Sequence, residues 1–311
     1  MELKQLKYLL SVSELGSFSK AAVVLSVAQP VLSRQIRSLE EELGVELLYR
    51  NGRGIVVSDA GQIVVDHARS IVGAVQSISA DIDTLRSEPS GKISIGMPPT
   101  AGSVLTAPLI QRFHEEYPRI KLKVQEGYSG HVLEWLSTGR IDVAILYNAP
   151  KTSTLLTQPL IEEELLLIGP GRHPDMVLNG PVEGARLAEM PLILPSHPHG
   201  LRVLVESLLG PQRVYPNVEY EVDSLSAVVN MVEQGIGYTI LPYAAVSGRV
   251  ESGDLTANSI VEPRMTRHLV LATSTQRPVT NATRTLARMV TQLVRDLVKD
   301  SVWVPRVQLD G

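Results

Sequence analysis

The apolar residues of the first ninety positions keep a helical period, and breakers cut them into four helices and a hairpin. Leu3, Leu6, Leu9, Leu10 and Val12 predict an amphipathic helix over 2–15, which Gly16 stops. Ser17 or Ser19 can cap a second, short helix from Lys20 to Leu25, where Ala21 and Ala22 suit close packing. After the turn Ser26-Val27-Ala28, Pro30 falls in the first turn of a third helix, where its missing N–H costs nothing. That helix is expected over 30–42, with Leu32, Ile36, Leu39 and Leu43 on one stripe. Pro30, Arg34, Arg37 and Glu41 fall away from the stripe, flanked by Ser33 and Gln35. The runs Val45–Arg50 and Ile55–Val57 around Asn51-Gly52-Arg53-Gly54 then predict a β-hairpin.

From Ser58, an expected N-cap, the pattern continues as one helix to about Arg86. Val64, Ala68, Ile71, Val75, Ile78, Ile82 and Leu85 recur at alternating steps of 4 and 3, a heptad seam. It ends before the breaker-rich Ser87-Glu88-Pro89-Ser90-Gly91. Such a seam pairs two copies of a chain or packs on its own domain, and both readings stand on the pattern alone.

Beyond Gly91 the period changes. Short apolar runs (93–97, 120–124, 142–147) alternate with amphipathic helices (104–117, 131–138), which argues for an open, mostly parallel α/β sheet. A second α/β stretch begins at Leu165–Gly169. It has strands expected at 192–194, 218–222 and 238–241, and helices near 201–209 and 225–234. A strand at 268–273 and a helix at 284–298 return to the first unit. One lobe, an inserted second lobe and a return make a hinged, two-lobed layout, in which ligands sit at strand C-termini beside helix N-termini.

Composition narrows the chemistry. The 311 residues are 44% hydrophobic and 20% charged, ordinary for a soluble globular protein, and long enough for two or three domains. With no cysteine, disulfides, thiolate zinc sites and cysteine nucleophiles are excluded. The opening MELKQLKYLL lacks the apolar core and cleavage site of an export signal, and no apolar run approaches about 18 residues. A cytoplasmic protein without a membrane segment is expected. A net charge of −4 does not advertise a nucleic-acid binder, and charges over 1–60 roughly balance. Phosphate binding, however, needs cations on one face rather than over a whole chain.

The order helix, tight helix pair with a polar and basic outer face, then basic hairpin is that of a winged helix-turn-helix. A small helical bundle with solvated arginines is the alternative for any one helix taken alone. On the first reading Gln29, Pro30, Ser33, Arg34, Gln35 and Arg37 face base edges and phosphates, and Arg50 and Arg53 sit where a wing touches the backbone. Here a resemblance enters. Gly16-Ser17-Phe18-Ser19-Lys20-Ala21-Ala22, Ala28–Ile36, Leu39–Gly44, Leu47–Arg50 and Ser58-Asp59-Ala60-Gly61 resemble the LysR-type regulator signature. Tyr49 departs from the usual phenylalanine or small aliphatic residue, and Ala28 replaces a common serine. Gly139–Ile145 and Val232–Pro242 resemble the sensor-domain motifs of that family, and Ser94–Gly96 with Val143–Tyr147 are similar to its nitrogen-assimilation control branch.

The resemblance implies an α/β protein: a winged helix-turn-helix (1–58), a linker and dimerisation helix (59–89), and an effector-binding domain resembling type 2 periplasmic binding proteins. Its lobe I would cover 90–164 and 267–300, its lobe II 165–266, with a tail at 301–311. It further implies an effector cleft lined by Pro99, Thr100 and Ser103, by Ser129 and Gly130, by Ser196, His197, His199 and Arg202, and by Asp223 beside Ser224. Hydroxyls, amides and one arginine suit a small anion; helix caps and loop hydrogen bonds are the alternative for each residue. Double-stranded DNA, read as an interrupted palindrome, and a second copy of the chain (as dimer or tetramer) are the implied partners, with RNA polymerase a further candidate.

Enzyme signatures are missing. Gly127-Tyr128-Ser129-Gly130-His131 is one residue off the nucleophile elbow, and Gly235-Ile236-Gly237 lacks the third glycine of a dinucleotide fingerprint. His197 and His199 have no carboxylates at metal-ligand spacing. No catalysis, metal or cofactor is expected. A solute-binding protein without DNA function and a regulator needing no effector remain the rivals.

Overall fold

The computed structural model describes residues 1–51, 54–86, 91–277 and 279–304; within those spans the side chains of 50, 51, 70, 74, 76–86 lie outside the description. Arg53 and the 87–90 linker therefore also lie outside it.

The head is α1 (Leu3–Leu15), α2 (Phe18–Val24), α3 (Gln29–Leu43), the antiparallel hairpin β1 (Leu48–Asn51) and β2 (Gly54–Val57), and the first turns of α4 (Asp59–Arg86). Gly16 closes α1 in the left-handed conformation (φ 59°), a state that costs glycine little. Ala21 and Ala22 are buried against Tyr8, Val12, Leu32 and Ile36, so the small side chains bring α2 close to α3. Leu43, expected on the inner stripe, is 40% exposed, because Gly44 ends the helix there and the chain turns away.

On α4 the stripe Val65, Ala68 and Val72 is 1%, 0% and 8% exposed, buried against Leu6, Leu9 and Leu39. This divides the heptad seam. Ala68 belongs to the core of its own head and is not available to a partner, and half-buried Val64 packs on the same core. Ile71 and Val75 are each 40% exposed. The side chains of Ile78, Ile82 and Leu85 lie outside the described residues.

Lobe I holds β3 (Gly91–Met97), α5 (Pro99–Glu116), β4 (Ile120–Glu126), α6 (Ser129–Thr138) and β5 (Val143–Tyr147). The chain then runs along β6 (Leu155–Pro170) into lobe II: β7 (Val182–Glu183), β8 (Leu192–Leu194), α7 (Gly200–Leu209), β9 (Val218–Glu221), α8 (Leu225–Glu233), β10 (Thr239–Pro242), α9 (Ser247–Glu251) and β11 (Leu255–Val261). It returns by β12 (Thr266–Ser274) and α10 (Asn281–Lys299). The main sheet runs β4-β3-β5-β12-β6-β11-β7, with β10 also on β6, and β8 and β9 form a separate parallel pair.

The sheet is mixed rather than mostly parallel. β3 is parallel to β4 and β5, whereas β12 is antiparallel to both β5 and β6. The reason is connectivity: β6 leaves lobe I and β12 comes back beside it, so the two strands joining the lobes must oppose each other. Along β6, Leu165-Leu166-Leu167-Ile168 is buried on both faces, Leu165 and Leu167 in one core and Leu166 and Ile168 in another. Such a strand reads as a continuous apolar run. Its first ten residues were not expected as strand, since Pro159 and three consecutive glutamates break the apolar pattern. A register shift opposite Leu269/Val270 accommodates the proline.

The lobe I core joins Ile93, Ile95, Leu105, Phe113 and Leu286 with Trp303, which is fully buried. A tail starting at 301 is thus corrected: the chain up to Trp303 is part of lobe I, its amide donating to the Leu297 carbonyl at 2.9 Å.

Candidate functional site

Two sites follow from this architecture. On the head, α3 begins at Gln29 after the extended Ala28, with Pro30 in its first turn. Leu32, Ile36 and Leu39 point inward, and the opposite face leaves Gln29, Pro30, Arg34 and Arg37 exposed, with Ser33 and Gln35 half-buried between. Arg37 pairs with Glu41 one turn on at 3.1 Å, both side chains well exposed. A solvated pair of this kind contributes little, at most about 1 kcal/mol, and yields readily to a phosphate. Among the described residues Arg34 pairs with no acidic side chain. The hairpin is held on the head by the Ile55 amide, which donates to the Gly16 carbonyl at 3.0 Å. A side chain on Gly54 (φ 142°) would meet that same carbonyl at 2.9 Å. The Arg50 and Arg53 side chains fall outside the described residues.

The second site is a cavity of about 450 Å³ between the lobes. Four helices begin at it. Lobe I offers Pro99 and Thr100 from the first turn of α5 and Ser129 from the start of α6; lobe II offers His199, the N-cap of α7, and Asp223, next to the α8 cap Ser224. The sequence expectation thus converges for Pro99, Thr100, Ser129, His199 and Asp223. It does not for five others. Ser103 is exposed on α5, its hydroxyl donating to the Thr100 carbonyl at 3.0 Å. Gly130 is exposed and does not line the cavity. Ser196 stands behind Asp223, donating its amide and hydroxyl to that carboxylate at 3.0 and 2.9 Å. His197 is exposed and faces Glu206 at 3.2 Å. Arg202 is tied to Glu206 and to Glu221 at the back of α7, and takes no part in the lining.

The arginine that does line the cavity is Arg267, which the sequence reading missed. It pairs across the β12–β6 register with Glu163. Its Nε and Nη2 lie 2.7 and 2.6 Å from the Glu163 carboxylate, and both residues are nearly inaccessible, at 4% and 1%. Nη2 also donates to the Thr100 hydroxyl at 3.0 Å, and the guanidinium lies 3.5 Å from the Tyr147 ring centroid. Trp303 Nε1 donates to the other oxygen of Glu163 at 2.9 Å. Desolvation by burial holds the Tyr147 phenol far above its ordinary range, so it is protonated at any working pH. The signal was available in principle: inward and outward positions alternate at the start of β12, and Arg267 occupies an inward one.

His199 Nδ1 accepts from the Leu201 amide at 3.0 Å, so the ring caps α7 in its neutral form. Burial lowers its pKa, outweighing the attraction of Asp223. Asp223 is held below the usual carboxylate range by the Ser196 amide first and the Ser196 hydroxyl second. Across the cavity mouth the Tyr128 hydroxyl donates to the Asp223 carbonyl at 2.9 Å, and the Tyr128 and His199 rings meet edge to face at 4.4 Å. Among the described residues no cluster of three or more His, Asp or Glu side chains could hold a metal ion.

Known proteins share both parts. A profile described as the bacterial regulatory helix-turn-helix protein, lysR family, matches residues 3–62, and one described as the LysR substrate binding domain matches 86–295. The chain is 30% identical over 299 residues to the nitrogen assimilation regulatory protein nac of Klebsiella aerogenes, covering 94% of this chain and 95% of that one. In fold it is similar to full-length OxyR of Pseudomonas aeruginosa bearing a cysteine substitution (TM-score 0.74, 24% identity, 95% and 98% of the two chains covered). It is also similar to full-length CbnR complexed with its target DNA (TM-score 0.67, 24% identity, 95% and 99% covered). A helix-turn-helix head with an outward basic helix, joined to a two-lobed domain with a ligand-sized cleft and matched along nearly its whole length, places this chain in the LysR family of transcriptional regulators.

Proposed function

We propose that this regulator reads an interrupted palindrome as a homo-oligomer, with α3 in the major groove and Arg34 as its principal base or phosphate contact. The observation carrying this is the exposed face of α3, on which Arg34 is exposed and free of any acidic partner among the described residues while the opposite face is buried. Ile71 and Val75 on α4 pair the protomers and set the spacing of two recognition helices. Effector binding closes the inter-lobe cleft and shifts the heads; only a ligand with different affinity for the open and closed arrangements can do so. On this reading the protein works in the cytoplasm without catalysis, metal or cofactor. Among the described residues no helix is long and apolar enough to cross a membrane. Contact with RNA polymerase would follow from a bound position beside a promoter.

The test is footprinting of the full chain on its own upstream DNA and on selected genomic fragments, across a salt series, beside Arg34→Ala. A protected interrupted palindrome with steep salt dependence, lost in the variant, is expected. Sequence-indifferent binding on every fragment, unchanged in Arg34→Ala, would overturn the role given to α3.

A further inference from the structure

Resting on the effector-cleft reading, we propose that the cleft selects a non-anionic ligand with an apolar body and a hydrogen-bond-donating end, such as a hydroxyl or amine. The cleft fits the small anion that the sequence suggested less well. The body of the cavity is apolar, with Pro98, Pro198, Leu204, Val222, Val228 and Leu241 on its walls. What decides the ligand's charge is the bookkeeping of ionic groups at the lining.

The cation facing the cavity is already matched. Arg267 is bound through Nε and Nη2 to Glu163, its cross-strand neighbour, while Nη2 also donates to Thr100 and the guanidinium stacks on the Tyr147 ring, so its charge is already balanced. Trp303 holds the second oxygen of Glu163, which opposes any swing that would release the arginine. An incoming carboxylate would have to break a buried pair, whose dissociation leaves an uncompensated charge. At the other end stands a full negative charge. Asp223 lines the cavity with its carboxylate fixed by Ser196, and the neighbouring His199 supplies no compensating charge while its Nδ1 accepts the α7 amide.

Helix N-termini pull the other way, since four of them begin here. Each is equivalent to about half a charge at most, and capping reduces it. α7 and α8 are capped by their own residues His199 and Ser224, and the first turn of α5 opens with Pro98 and Pro99, which have no N–H to give. The full charge on Asp223 outweighs what is left. A donor on the ligand fits Asp223, and an acceptor elsewhere on it can meet the Ser129 or Asn148 side chains that share the lining.

The experiment uses three probes of one shape: naphthylmethanol, naphthylmethylamine and naphthoate. Each is titrated against the full-length protein while thermal unfolding is followed, because a ligand that binds only the folded state raises the transition temperature. The alcohol and the amine are expected to stabilise it, and naphthoate to need roughly threefold or higher concentration for the same shift, since its carboxylate meets the like charge of Asp223, partly screened by solvent at that exposed position. Asp223→Asn, at an exposed position, should narrow that gap, and Glu163→Gln should reverse it by freeing Arg267. If Glu163→Gln does not fold, the Asp223→Asn arm decides. Naphthoate binding the wild type as well as the alcohol does, or no stabilisation by any probe, would overturn the ligand class. Gly200→Phe tests the cleft itself: Gly200 lines the cavity and a Cβ there meets nothing within 4 Å, so the variant should fold with its ring narrowing the cavity. Probes that stabilise Gly200→Phe as strongly as the wild type bind elsewhere, and then it is the cleft reading that fails.

Discussion

The hydroxyl of Tyr128, at the end of lobe I that leads into α6, donates 2.9 Å across the cleft to the backbone carbonyl of Asp223 in lobe II. Burial raises the Tyr128 pKa, and the Asp223 charge raises it further, so the donor is always present. The bond closes one edge of the cavity and joins two helix starts that have no covalent link nearby. On the proposed effector mechanism the lobes, joined by β6 and the β11–β12 turn, rotate about those strands, and this contact favours the closed arrangement.

Tyr128→Phe keeps the ring packing against His199 and removes the latch. A hydrogen bond of this kind contributes about 0.5–1.5 kcal/mol net. The variant should therefore populate the open arrangement more and need roughly 2- to 10-fold more effector for the same response. Small-angle scattering of the ligand-free chain should show a larger radius of gyration for the two-lobed part. An unchanged scattering curve and an unchanged effector titration together would mean that Tyr128 is only a wall residue.

His199 makes the protein sensitive to mild acid. Its pKa in the fold lies below the ordinary imidazole value of about 6.5 because of burial, with Asp223 partly restoring it and Arg267 lowering it further. A folded-state value below the unfolded one means the unfolded chain takes up the proton first. The neutral ring's contribution is thus fully present above about pH 6.5 and is lost as pH falls through that value towards the folded-state pKa. Protonation also removes the Nδ1 acceptor that caps α7. Urea midpoints for the wild type should fall between pH 7 and pH 5 more steeply than those of His199→Asn, whose amide oxygen can still cap the helix. Parallel pH profiles for the two proteins would remove His199 from the account.

The head was legible from its sequence because each element there obeys local rules: Gly16 and Gly44 end helices, Pro30 starts one, and the stripe Leu32, Ile36, Leu39 faces inward. The cleft was only half legible. Residues on helix starts, such as Thr100, Ser129, His199 and Asp223, came with the family resemblance and agree with the rule that ligands sit at strand ends in α/β folds. Arg267 and Glu163 did not, because their pairing is a matter of register between strands 104 residues apart, and a run of three glutamates beside a proline does not look like strand. Arg202 misled for a related reason. An arginine in a helix's first turn suggests an anion site, but two glutamates, one of them on β9, hold it at the back. The seam on α4 misled at Ala68, where a heptad position serves the packing of α1 instead.

Gly61 in the Ser58–Gly61 run has a packing reason. Ser58 accepts the Gly61 amide at 2.9 Å, capping α4, and donates to the Glu46 carbonyl at 2.6 Å. These two bonds draw the first turn of α4 so close to the wing that a side chain at Gly61 would lie 2.1 Å from the Leu47 carbonyl oxygen. Glycine to alanine in a helix ordinarily stabilises by up to about 1 kcal/mol. Here the clash is with backbone, which cannot rotate away, so Gly61→Ala should destabilise the head by about 1–3 kcal/mol, the usual cost of overpacking. Thermal unfolding followed by far-ultraviolet circular dichroism checks the sign, and a gain in stability would show that α4 can shift freely against the wing.

Ile71 and Val75 carry the last prediction. They lie four residues apart on α4, so they share a face, and both are 40% exposed while Ala68 and Val72 on the neighbouring stripe are buried in the head. Two branched apolar side chains in water on a long helix are better explained by a second helix than by solvent. Glutamate at both positions leaves the head's own packing untouched but puts like charges across any two-fold pairing. The double variant Ile71→Glu with Val75→Glu should keep the wild-type unfolding temperature of the head, sediment as a smaller species, and protect single half-sites weakly where the wild type protects both. Losing fold and assembly together would say that this face is internal to the protomer. Keeping both the wild-type mass and the full footprint would move the dimer contact away from this part of α4.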